Sequence, residues 1–501
     1  MLFLVILGVQ TLFAQLSTAM KIHNGLIQGK QLDKTGVVVF KGIPYAAPPL
    51  GELRWKAPQP VANWDGVREC VTPPASAMQP KPRPMKCWTK EFMAPTEPIS
   101  EDCLYLNVWT SAKKSSNKLP VIVWIHGGAF MNGSGTVPLY DGEGISKKGC
   151  VFVTINYRLG IFGFLSHPEL SAESDLKVSG NYGILDQIAA LKWVKQNIAA
   201  FGGNPDNVTI AGQSAGAMSV NALMVSPLAK GLFQRAIAES GGLFTNEIGF
   251  SKSSQDAEAE GKVALEKAGI KNISEMRKKS ASEIMSVSGR WMVIVDNVVI
   301  PPFSETFENR NQNDVPLLTG WNADDGVYFG PSPDVAMFKN DAEKKYGAKS
   351  DEFLKLFPAE TDDQAKESQK IVTQLSFGLQ NYIWAKQQNS NGKSKVWVYY
   401  FSHIPPGKPN YGAFHSSEFA YALHTLKYWE RPFTEWDYQL ENIMSTYWVN
   451  FARNGNPNGK NLPLWPQFNE NKPQVVEFGK KVNAKKMPFQ DQLKFMENLE
   501  K

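Results

Sequence analysis

The stretch VTIAGQSAGAMSV, residues 208–220, holds Ser214 between Gly212 and Gly216, with an apolar strand-like run before it and an apolar helix-like run after it. Glycine two residues either side of a serine at a strand-to-helix junction suits a turn that lifts a hydroxyl clear of a sheet, because a side chain on either glycine would crowd the bend. The first N–H groups of the following helix, beginning with Ala215, have no intrahelical partner, and together with the helix dipole they favour negative charge beside the serine. The chemistry this suggests is nucleophilic attack on a carbonyl with capture of the oxyanion. In a chain with 40 glycines among 501 residues the spacing also arises by chance, so its neighbours must carry the case.

A second glycine pair follows another apolar run. IHGGAF, residues 125–130, puts Gly127 and Gly128 where backbone N–H groups can approach a substrate, making Gly127, Gly128 and Ala215 the candidate oxyanion donors. A serine nucleophile needs a base, and the chain has six histidines. The chain order serine, acid, histidine puts the base after the last core strand, which leaves His403, His415 and His424. His415, in YGAFHSSEFAYAL, sits in a loop that opens a helix and is the leading candidate; His403 ends a strand and His424 lies within the helix. VPLLTGWNADDGVYFG, residues 315–330, offers Asp324 and Asp325 in a turn after a strand, and either carboxylate there could fix the imidazole tautomer. Phe130, Phe244, Trp291, Tyr328 and Phe414 are expected to line an apolar substrate pocket, with plain core packing as the alternative.

These side chains need a scaffold. PVIVWIH (120–126) and CVFVTINY (150–157) are near-continuous β-branched and aromatic runs, as expected of strands covered on both faces. GILDQIAALKWVKQNIAAF (183–201) carries Ile184, Leu185, Ile188, Leu191, Val194 and Ile198 at helical spacing. NVTIAG (207–212) reads as a strand, Ala215–Val225 as a helix, and Val315–Thr319 and residues 395–403 as further strands. Alternating strands and helices predict an α/β architecture around a central sheet. Residues 251–290 and 332–390 are charged and helix-prone, and with no Pro/Gly/Ser linker to set them off they read as helical insertions over the sheet.

The net charge is +5, but the cations are interleaved with acids, which argues for general solubility and against nucleic-acid binding. An apolar run from Leu2 to Phe13 followed by Ala14 predicts a signal peptide over residues 1–14, although no Lys or Arg precedes it, and hence a secreted or periplasmic protein with one domain over 15–501. No later run is long enough for a membrane span. Four cysteines, Cys70, Cys87, Cys103 and Cys150, lack metal-site spacing and leave room for one or two bridges in an exported chain.

At greater length the sequence resembles the type B carboxylesterase and cholinesterase-like family of α/β-hydrolases. The likeness runs through VVFKGIPYAAPPLGELRWKAPQP, SEDCLYLNVWT, HGGAF, INYRLGIFGFL, GNYGILDQIAALKWVKQNIAAFGGNPDNVTIAGQSAG and GAFHSSEF to FARNGNPN and LPLWPQF. It implies an α/β-hydrolase fold, a large mostly parallel sheet flanked by helices. It further implies Ser214 as nucleophile, His415 as base, and Asp325 where the family usually carries glutamate in an Asp-Glu-Gly turn. The substrate would be a small-molecule ester cleaved through an acyl-enzyme without metal or organic cofactor. Two departures stand out. Gln213 replaces the family's usual glutamate beside the nucleophile. Ala77 stands where a cysteine usually pairs with the residue equivalent to Cys103, so the likeness suggests Cys87 as partner, with Cys70 as the alternative. An amidase or peptidase using the same groups, or a non-catalytic binding protein on the same fold, are the rival readings. Short-chain, aromatic, hydroxycinnamoyl and xenobiotic esters all fit this reading.

Overall fold

The computed structural model describes residues 16–245, 251–326 and 332–500. Its centre is an eleven-stranded sheet. In chain order its strands are β1 (Lys30–Gln31), β2 (Val38–Pro44), β3 (Tyr105–Thr110), β4 (Leu119–Ile125), β5 (Val151–Ile155), β6 (Gly203–Gln213), β7 (Arg235–Glu239), β8 (Leu317–Asn322), β9 (Val396–Phe401), β10 (Gln474–Phe478) and β11 (Val482–Lys486). Across the sheet the order is β11-β10-β9-β8-β7-β6-β4-β5-β3-β2-β1. The strands from β5 to β10 in that order are parallel, and antiparallel pairs close both edges.

The apolar runs are continuous because the sheet is buried on both faces. In β4, Val121, Val123 and Ile125 enter one hydrophobic core while Ile122 and Trp124 enter the other. The first core is covered by α1 (Tyr182–Asn197), α2 (Ala215–Val225) and α3 (Asp362–Asn391), and the second by α4 (Glu435–Asn454). Every residue of α2 is buried, so it is covered all round and not along one stripe, and its two polar side chains, Ser219 and Asn221, are hydrogen-bonded. The charged stretches form helices as expected, and five of these begin at a polar cap. Ser253, Asn272, Ser280, Asp334 and Thr361 accept from N–H groups of the first turn.

A buried ion pair ties helix to sheet. Arg158, just past β5, donates from Nε and Nη2 to the two carboxylate oxygens of Asp186 in α1, at 2.8 and 2.7 Å. Both side chains are almost fully buried, so removing one partner would strand a charge at a cost of about 3–5 kcal/mol.

Parallel register brings the carboxyl ends of the strands level. Ile125 lies opposite Gly212, Gln213 opposite Glu239, Glu239 opposite Gly320 and Asn322 opposite Phe401. Strand β8 runs to Asn322 instead of ending at Thr319, because pairing with β9 continues to Phe401. The loops carrying Gly127, Ser214, Ser240 and Asp325 therefore leave the sheet side by side, at the edge where open α/β sheets gather their ligands.

Candidate active site

Ser214 is the hinge between β6 and α2, with φ 59° and ψ −124°, a conformation L-residues adopt only under strain. Packing enforces it. A Cβ at Gly212 would lie 2.5 Å from the Gly216 carbonyl carbon, and one at Gly216 would collide with the Ile125 carbonyl. The Ser214 N–H donates to the Glu239 carbonyl at 2.9 Å, which ties the turn to β7. The glycine loop closes against this turn from the β4 side. A Cβ at Gly127 would sit 2.6 Å from the Gln213 carbonyl oxygen and 3.2 Å from Ser214 Cβ, so only glycine lets the two backbones touch.

The loop is also braced from behind. His126 Nδ1 lies 2.8 Å from the Gly127 carbonyl, its ring stacks on Tyr157, and burial pushes its pKa down to about 4. Gln79 clamps Gly133 with two hydrogen bonds, accepting from its N–H at 2.9 Å and donating to its carbonyl at 2.8 Å. Nothing in the sequence pattern marks Gln79, because its partner lies 54 positions away.

His415 and Asp325 meet across the top of the sheet. His415 Nδ1 is 2.7 Å from Asp325 Oδ1, and Asp325 Oδ2 accepts from Ser240 Oγ and from the Asn322 N–H, each at 2.7 Å. These bonds leave the carboxylate one orientation. Asp324 does something different: its side chain accepts from the Ala413 N–H at 2.6 Å and pairs with Lys370 at 2.7 Å, pinning the loop that carries His415. Trp88 donates to the His415 carbonyl at 3.2 Å, and the Phe377 ring lies 4.6 Å from the imidazole. The alternative histidines are engaged elsewhere, His403 with Asp437 at 2.7 Å and His424 with Ser445 at 3.2 Å.

Ser214, Gly127, Gly128, Gln213 and His415 share one cavity of about 560 Å³. Its aromatic lining differs from the expected one. Phe130 is fully buried against Phe164, Phe244 packs on Phe303, Phe307 and Trp384, and Phe414 packs on Phe92 and Trp429. Trp291 lines a separate cavity beside Met131 and Met285, and Tyr328 lies outside the described residues. Trp88, Phe92, Tyr140, Phe377 and Phe419 form the walls instead. They come from segments far apart in sequence, which no local pattern could have joined.

All four cysteines are free and buried, which corrects the expected Cys87–Cys103 bridge. Cys103 belongs to the core on one face of the sheet and Cys87 to the core on the other. Burial pushes all four thiols up, which makes them poor nucleophiles at neutral pH.

Behind the site lie two buried glutamates. Glu239 accepts from Trp448 Nε1 at 2.7 Å, and burial raises its pKa to about 8. Glu418 is bonded by the Asn322 side chain, and burial, then the nearby Glu239 and Asp325 charges, raise it well above the carboxylate range. Burial thus favours the protonated form of both, which disfavours a second negative charge beside the Asp325–His415 pair. Gln213 contributes none. With the Nδ1 proton assigned toward Asp325, His415 Nε2 is the lone-pair nitrogen, and the Gln213 amide nitrogen lies 3.2 Å from it while Gln213 Oε1 accepts from Ser416 Oγ at 3.1 Å.

The architecture is the α/β-hydrolase fold, with a serine on the strand-to-helix turn and, lining the same cavity, a histidine backed by an aspartate. The model of the carboxylesterase family matches residues 16–496, and the chain belongs to that family, whose chemistry is the hydrolysis of carboxylic esters. It is 34% identical over 495 residues to fumonisin B1 esterase of Sphingopyxis macrogoltabida, a match covering 92% of this chain and 86% of that protein. Over 467 residues it is 35% identical to para-nitrobenzyl esterase of Bacillus subtilis, covering 88% and 91%. A solved structure of PNB esterase superposes with a TM-score of 0.82 at 31% identity, covering 96% of this chain and 99% of that one.

Two measurements probe the electrostatics. Gln213→Glu puts a carboxylate beside His415 Nε2 and favours the imidazolium, which cannot act as base, so the acid limb of the kcat/KM–pH profile is expected to move to higher pH. An unmoved limb would show that Gln213 does not govern the base. Glu239 favours its protonated form in the folded state, so its contribution to stability is full at acid pH and is lost as pH rises from the unfolded-state value through about 8. Glu239→Gln retains an acceptor for Trp448 and is expected to flatten that decline in denaturation midpoints measured from pH 5 to 9.

Proposed function

We propose that Ser214, His415 and Asp325 carry out the ester hydrolysis, with the N–H groups of Gly127, Gly128 and Ala215 receiving the oxyanion. The observation that supports this best is the 2.7 Å contact between His415 and Asp325 above a cavity whose floor includes Ser214. Ser214 Oγ bonds to the ester carbonyl carbon as its proton passes to His415 Nε2. Asp325 stabilises the resulting imidazolium through Nδ1–H. The tetrahedral oxyanion collapses, the C–O bond to the alcohol breaks, and the imidazolium returns the proton to the leaving oxygen. Water then attacks the acyl-enzyme by the same proton route and releases the acid. Gly127 and Gly128 follow β4 and Ala215 opens α2 directly after Ser214, which supports a reading in which both segments donate to the carbonyl oxygen.

Asp325 is the acid of this reading because its carboxylate faces the imidazole, whereas Asp324 is spent on the loop and Lys370. We also propose export, with cleavage near Ala14, on the strength of the apolar run Leu2–Phe13, which lies outside the described residues. Among the described residues no helix is long and apolar enough to cross a membrane.

Ser214→Ala is expected to abolish turnover of a p-nitrophenyl ester while leaving the circular dichroism and melting curve of the wild type. Asp325→Asn should lose about 10⁴-fold in kcat through the wrong histidine tautomer. A larger loss from Asp324→Asn in a folded protein would transfer the acid's role to Asp324. N-terminal sequencing of protein recovered outside the cytoplasm is expected to begin near Gln15, and an intact Met1 there would refute cleavage.

A further inference from the structure

The charge around the cavity is one-sided. Lys81 and Arg83 are its only Lys or Arg, and no Asp or Glu lines it among the described residues. Asp325, though close, is fully buried behind the imidazole. Lys81 and Arg83 are exposed, which places them at the outer end, while Ser214, Gly127 and His415 lie at the inner end between apolar walls. Neither cation has an ion pair or hydrogen bond within the described residues. Lys90 and Lys370 nearby are each neutralised, by Glu430 and Asp324.

The segment that bears these cations is built to hold them in place. It reads Pro80-Lys81-Pro82-Arg83-Pro84, and alternate prolines lock the backbone torsions and reduce the freedom of the strap. Both ends are tied to the catalytic machinery. On one side Gln79 is clamped to Gly133 of the glycine loop by two hydrogen bonds. On the other, Met85 and Trp88 exchange two backbone hydrogen bonds of 3.0 Å, and the Trp88 indole donates to the His415 carbonyl. A stiff, doubly anchored strap with two unneutralised cations over an apolar cavity is suited to a ligand with a negative group at one end and an apolar body.

We propose that the substrates of this esterase are anionic esters, in which an apolar segment separates the scissile carbonyl near Ser214 from a carboxylate or similar anion held by Lys81 and Arg83. This rests on Ser214 as nucleophile and adds the substrate class. The overall charge of +5 gives a weak attraction for any anion, but the strap concentrates it at the cavity mouth, where low-dielectric walls focus the field. Because both cations are solvated, each contact is worth only as much as an exposed ion pair. Two together correspond to a preference of roughly tenfold in kcat/KM, and salt should erode it.

The test compares mono-4-nitrophenyl glutarate, its neutral counterpart 4-nitrophenyl valerate, and a trimethylammonium ester of matching length, using the purified full-length protein. The wild type is expected to favour the anionic ester over the cationic one. Its anionic-to-neutral ratio of kcat/KM should fall about tenfold in Lys81→Glu/Arg83→Glu and fall also in the wild type at about 0.5 M salt. Charge reversal at Lys230 and Lys267, exposed residues that do not line the cavity, changes the net charge equally and should leave the ratio within about twofold. A ratio insensitive to the Lys81/Arg83 reversal, or one that falls as far in the Lys230/Lys267 variant, overturns the proposal. Wild-type turnover of the esters that persists undiminished in Ser214→Ala overturns the nucleophile assignment instead, and the two failures are read in separate proteins.

Discussion

The whole site hangs on one steric constraint, the contact of the Gly216 backbone with the carbonyl of Ile125. Any Cβ at 216 would collide there, so the first turn of α2 can be pressed onto the end of β4 only because that position is glycine. The same pressure drives Ser214 into its strained torsions and brings the Gly127 backbone against Gln213. Strain of this kind costs of order 1–3 kcal/mol and persists only where the surroundings leave no alternative. Here the surroundings are a doubly covered sheet and an α2 helix buried along its full length.

On that base the Asp325–His415 pair is assembled by long-range bonds that serve different ends. Adjacent aspartates divide the work: Asp325 orients the imidazole, and Asp324, with Lys370, fastens the segment from which the imidazole projects. Asn322 links the two levels, since its N–H holds Asp325 while its side chain reaches the Phe414 carbonyl and Glu418. A carboxylate with three partners on two oxygens has little freedom, and a fixed imidazole tautomer is what general-base catalysis by a serine hydrolase requires.

Electrostatically the interior is kept quiet. Burial favours the protonated forms of Glu239 and Glu418, and position 213 bears a neutral amide, so the surroundings of Ser214 disfavour negative charge from these side chains. Among the described residues the Lys, Arg, Asp and Glu side chains that line the cavity are Lys81 and Arg83, both cationic and exposed. An anion would thus meet attraction on entry and few competing charges within.

The elements and the reacting groups were legible in the sequence to very different degrees. The strand–serine–helix turn, the glycine loop and the core strands could be read because their signals are local: glycine where a Cβ cannot fit, and unbroken apolar runs where both faces of a sheet are buried. Helix Ala215–Val225 has the bounds its apolar run suggests. Choosing between Asp324 and Asp325 was beyond composition and spacing, because two neighbouring carboxylates in one turn differ only in which way they face. The pocket aromatics misled for a related reason. Phe130 and Phe414 are close to Gly128 and His415 along the chain, yet strand and loop geometry turn them into the core, while Trp88 and Phe377 arrive from distant segments. The cysteines show the same limit, since a short loop between Cys87 and Cys103 says nothing of a sheet lying between them. Sequence by itself determined the backbone turns and the setting of Ser214, because steric exclusion acts between near neighbours. Tertiary structure decided which carboxylate meets the imidazole and which walls and cations share a cavity with Ser214, because those depend on side-chain direction after segments hundreds of residues apart have packed.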